Sequence, residues 1–145
     1  MKKILTLAFV LVSCFAFSQK EKVDIKLDRK KDLVTVNGVE FFKYENKGSD
    51  LLVLSMTGEE IAYFSTVSYT DYTKVTESNP KGIVSYRIIN FEGVEEKTEI
   101  TYMGPKGIAE LFLMHNLYEN NALNLDNVLK YIERNGRKYS ERLIR

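Results

Sequence analysis

One cysteine, one histidine, two prolines and no tryptophan occur in 145 residues, and each scarcity excludes a class of function. A zinc site of the usual kind needs several Cys or His ligands, which this chain cannot supply. A Ser-His-Asp triad would have to use His115, which stands between Met114 and Asn116 in an apolar helical stretch. No Gly-x-Ser-x-Gly elbow occurs, and Gly104-Pro105-Lys106-Gly107 lacks the spacing and Ser/Thr of a phosphate loop. Asp24, Asp28 and Asp32 recur every four residues without the glycine and terminal glutamate of a calcium loop. Glu59-Glu60 and Glu95-Glu96 are adjacent pairs, and neighbours on a strand point to opposite faces. No catalytic, cofactor-binding or metal set is expected.

A charge of one sign is also missing. The 21 basic residues nearly balance 20 acidic ones, so no general field steers the chain toward nucleic acid. Membrane contact is expected only through the lone cysteine, for the following reason. Lys2 and Lys3 precede an apolar run from Ile4 to Val12, and small residues Ala16 and Ser18 stand before Gln19. That is the layout of a secretory signal peptide cut after Ser18. Even extended to Phe17, the run falls short of the roughly 20 residues that span a bilayer. Leu11-Val12-Ser13-Cys14 resembles a lipobox, and lipidation of Cys14 would anchor the protein instead. Phe15 to Phe17 argue for ordinary cleavage, because they continue the apolar region past Cys14.

The leader, with its Phe17-Ser18-Gln19-Lys20 end, resembles those of small exported proteins of flavobacteria and their relatives. The resemblance stops at the leader and implies export, periplasmic or extracellular, but no activity. Cleavage would leave residues 19–145, a length that suits one domain with one core. That domain would hold no cysteine, so packing must stabilise it without a disulfide.

The pattern after the leader predicts an α+β fold, an antiparallel meander of about six strands followed by two helices. Val23, Ile25 and Leu27 alternate with polar residues, as on a half-buried strand. Asn37-Gly38 between β-formers predicts a type I′ hairpin, pairing Val36 with Val39, Thr35 with Glu40 and Val34 with Phe41. Thr57-Gly58 predicts a second turn, pairing Leu54 with Ile61, Leu52 with Tyr63 and Val53 with Ala62. Residues 83–91 and 98–103 form a last hairpin. Matching its apolar sets places Val84, Tyr86 and Ile88 with Thr98, Ile100 and Tyr102, and Arg87 beside Glu99.

Two helical stretches follow. Lys106 to Glu119 is apolar nearly all round, which predicts burial on more than one side. Leu125, Val128, Leu129 and Ile132 form one stripe, with Asn124 as cap and Asn135-Gly136 as stop. Tyr139, Leu143 and Ile144 are expected to dock the basic tail on the domain.

These features point to a non-enzymatic module that binds an unknown protein or an apolar small molecule. Candidate contact residues are Tyr69 and Tyr72 at the start of the long polar loop 70–82, Asn79 within it, and Arg137 and Lys138 in the tail. Two other functions fit the composition. A hydrolase could work through Asp71, Glu77 or Glu99, and a carrier would need a cavity between sheet and helix.

Overall fold

Seven short stretches rich in β-branched and aromatic residues form a single antiparallel sheet in the computed structural model, which describes residues 22–140. They are β1 (Ile25–Asp28), β2 (Leu33–Val36), β3 (Val39–Lys47), β4 (Asp50–Leu54), β5 (Glu60–Thr70), β6 (Ile83–Phe91) and β7 (Lys97–Thr101). Each pairs with the next, so the sheet is the expected meander, followed by α1 (Pro105–Met114) and α2 (Leu125–Asn135). The leader and the tail positions Leu143 and Ile144 lie outside the described residues. Among those described, no helix is long and apolar enough to cross a membrane.

The Asn37-Gly38 turn forms with positive φ at both positions, as its type requires. Val36 meets Val39 and Thr35 meets Glu40, but a bulge then sets Val34 opposite Phe42 rather than Phe41. The extra residue lets Phe42 turn fully inward while Phe41 packs edge-on to Tyr118, 5.4 Å away. A second bulge, at Leu54, makes its partner Glu60 instead of Ile61.

The last hairpin departs most from expectation. Arg87 pairs with Ile100 and Ile88 with Glu99, one residue from the register that matches apolar sets. Phe91 explains the slip. Its ring lies 6.4 Å from that of Phe112 on α1, so Phe91, Ile89 and Arg87 all take the inner face. The sheet gains Phe91 in the core and must accommodate Arg87 there.

Phe112 is the centre of that core, with Phe42, Phe64 and Phe91 around it, all fully buried. α1 is shorter than the apolar pattern suggests and is covered on one side only. Ile108, Ala109 and Phe112 are buried, whereas Met114 is 76% exposed. Leu117 and Tyr118 are buried from a separate hairpin, β8 (Tyr118–Glu119) and β9 (Ala122–Leu123). Asn116, Asn120 and Asn121 all adopt positive φ, and Asn116 turns the chain before a longer helix can form. On α2 the buried stripe is Val128, Tyr131 and Ile132, while Leu125 and Leu129 face solvent. Asn124 and Gly136 cap it as expected.

Candidate functional site

The strands place two kinds of polar surface at one end of the sheet, where β4 begins and β5 ends. The loop 71–82 joins β5 to β6 there and is held rigidly. Asp71 donates its amide to the Gly82 carbonyl at 2.7 Å, and its carboxylate caps the short 3-10 turn Tyr72–Lys74. Asn79 bonds the backbone of Ile83 twice, through Oδ1 and Nδ2, both at 2.9 Å. Gly82 has φ +62°, and a Cβ there would collide with the Asp71 carbonyl. The loop presents Tyr72, which is 84% exposed.

Beside the loop, the inner face changes from apolar to polar. Next to Phe64 and Ile89 come Thr66 and Arg87, then Ser68 and Ser85, whose hydroxyls are 2.8 Å apart. Arg87 is 3% exposed, yet its Nε and Nη1 are buried without a hydrogen-bond partner among the described residues. The Tyr102 ring covers the guanidinium, 4.6 Å from ring centroid to Cζ, and is itself 52% exposed. The Arg87 charge acts on Asp50, although the two form no ion pair among the described residues. Its carboxylate accepts from the Thr66 amide at 2.7 Å and the Tyr63 hydroxyl at 3.0 Å. The Thr66 bond, followed by those from Tyr63 and Ser49 and the Arg87 charge, outweighs burial and holds Asp50 below the usual carboxylate range. Bonding to Asp50 correspondingly raises Tyr63.

The structure scatters the candidate contact residues. Tyr69 is half-buried on the outer face, edge-on to Tyr86 at 6.3 Å, and Tyr86 stacks on Tyr139 at 5.0 Å. Asn79 is a scaffold residue of its loop. Arg137 lines an outer-face cleft of about 240 Å³ with Tyr86, Ile88, Lys97, Glu99 and Ser140. Lys138 donates to Asn135 Oδ1 at 2.8 Å, beside that cleft rather than in it. Arg137 and Lys138 are exposed as well, but of the five candidates only Tyr72 is an exposed aromatic.

Two of the three acidic candidates, Glu99 and Asp71, have structural partners. Glu99 is buried and accepts from the amides of Tyr139 at 2.7 Å and Ser140 at 2.9 Å. Burial pushes Glu99 up, but those bonds and the Arg137 charge outweigh it and hold the carboxyl below its ordinary value. Gly136 accepts from the Glu99 amide at 3.1 Å, so the tail covers the outward edge of β7. Asp71 is engaged by Thr73, and Glu77 is exposed on the loop. His115 packs against Tyr131 at 4.8 Å, at a cleft of about 280 Å³ shared with Asn127, Lys130 and Arg134. Burial raises the Tyr131 phenol to about 12. Among the described residues no three His, Cys, Asp or Glu side chains stand together to hold a metal.

Arg87 and Tyr102 escape a reading by hydrophobic alternation, because the rule that apolar residues share a face fails at this hairpin. One signal could have found them. Phe91, Ile89 and Arg87 share a parity, and choosing the largest apolar residue as the inward one carries Arg87 inside. Comparison of the chain with family models, curated proteins and solved structures finds no match.

Proposed function

We propose that the domain is an exported, non-enzymatic binding module, periplasmic or extracellular, that docks a partner protein through the loop 71–82. The observation that carries this reading is the Tyr72 ring, presented to solvent by a loop whose backbone is locked by Asp71, Asn79 and Gly82. An exposed aromatic on a backbone tied by hydrogen bonds is suited to anchoring, since little backbone freedom is lost when a partner buries it. The structural engagement of Asp71 and Glu99 argues against a carboxylate hydrolase. Dense filling beneath α1 by Phe42, Phe64, Phe91 and Phe112 argues against an apolar-ligand carrier.

Two experiments test the reading. Mass spectrometry of the exported protein should find a chain starting at Gln19; a diacylglyceryl group on Cys14 would instead make it a membrane-tethered lipoprotein. Residues 19–145 used as bait in envelope extract should capture a partner that Tyr72→Ala loses. Capture unaffected by Tyr72→Ala would move the interface elsewhere. Turnover of a glycan or peptide substrate, with no partner recovered, would contradict the reading.

A further inference from the structure

The buried guanidinium on the inner face needs a physical account. An arginine in a protein interior ordinarily has most of its donors satisfied, because an uncompensated buried charge is strongly destabilising. Arg87 has two nitrogens with neither solvent nor, among the described residues, a partner. A sheet could avoid this cost with a methionine or leucine at the same place, since the neighbours Ile89 and Ile100 are apolar. Its cover is also unusual. Tyr102 lies in the irregular segment between β7 and α1, and half of it faces solvent, so it can leave without unpacking the core. Beyond Arg87 the same face carries Ser85 and Ser68, whose hydroxyls have one another as partners.

We propose that this end of the inner face is a receptor for a small oxyanion, the carboxylate or phosphate group of a ligand, which displaces the Tyr102 ring and takes its place on Arg87. A guanidinium is matched to such groups because its fork of N–H donors can bond two oxygens at once. Ser85 and Ser68 supply further hydroxyl donors one step along the strands. The Tyr102 face holds the cation while the receptor is empty, as an exchangeable cation–π partner. The site differs from the Tyr72 loop in ligand class and in residues, so failure of partner capture leaves it standing.

Thermal unfolding of residues 19–145 with inorganic phosphate or citrate, at ionic strength held constant with sodium chloride, tests the proposal. Either anion should raise the Tm saturably, and the more effective one assigns phosphate or carboxylate chemistry. Arg87→Met should abolish that rise while leaving the anion-free Tm equal to or above that of the wild type. Tyr102→Ala should tighten anion binding by about five-fold, because the competing ring is gone. An anion response retained in Arg87→Met, or no response in any protein, would overturn the proposal. So would a lowered anion-free Tm or loss of folding in Arg87→Met, which would assign the arginine to the core.

Discussion

The two ends of this sheet treat their polar groups in opposite ways. At the end where β4 turns into β5, Asn121 reaches from the β8–β9 hairpin and accepts from the Met56 amide and the Tyr118 hydroxyl, both at 2.8 Å. Its amide approaches Thr57 as well, at 3.5 Å. A side chain some 65 positions away in sequence thereby closes the turn. At the other end, Arg87 is as buried as Tyr118, and two of its nitrogens have no partner among the described residues. The first end satisfies its donors within the fold, and its residues serve stability. The second leaves donors idle beside an exposed ring, an arrangement that stability alone does not select.

Substitutions sharpen that contrast, beginning at the core both ends share. Phe112→Ala should cost about 3–5 kcal/mol in urea unfolding, since it opens a cavity among three phenylalanines. At the closed end, Asn121→Ala should cost about 2 kcal/mol through lost hydrogen bonds and a positive φ of 64°. Asn121→Gly removes the backbone component, and about 1 kcal/mol should remain.

Smaller effects are expected where the tail crosses β7. Glu99→Gln should destabilise by about 1 kcal/mol at neutral pH by weakening the bonds to Tyr139 and Ser140. Because the folded pKa is depressed, this stabilisation is present above the ordinary value of 4.5 and is lost as pH falls through the folded pKa. Unfolding followed against pH should therefore show wild type and Glu99→Gln converging in acid; a gap independent of pH would contradict the assignment. Tyr72→Ala, at the loop, should stay within about 0.5 kcal/mol of wild type in the same assay. A larger loss would make Tyr72 a structural residue and remove it as a docking anchor.

Turn chemistry makes much of the fold legible in the residues themselves. Asn37-Gly38 and the Asn124 and Gly136 caps are local, so their residues declare them. Interactions between distant segments are not declared in this way. The bulge at Phe41 answers to Tyr118, and the last hairpin's register answers to Phe112 on a helix that comes later in the chain. The apolar run through Tyr118 reads as one long helix because Leu117 and Tyr118 are indeed buried, but three asparagines at positive φ redirect them into a hairpin. Of the contact candidates, Tyr72 is visible as an aromatic in a polar loop. Asn79 looks the same in sequence but turns inward, since its amide mimics a backbone pair. Arg87 is hidden because a charged residue is expected to face out, and this one does not.

The contrast between the two ends reduces to one comparison, the unfolding free energies of Arg87→Met and Asn121→Gly in urea, in buffer free of phosphate and carboxylates. If Arg87 is held for a ligand and Asn121 for the fold, the two changes should separate: Asn121→Gly lower than wild type by about 1 kcal/mol, and Arg87→Met equal or higher. A loss of stability in Arg87→Met would contradict the account, because the buried guanidinium would then be a structural member of the core.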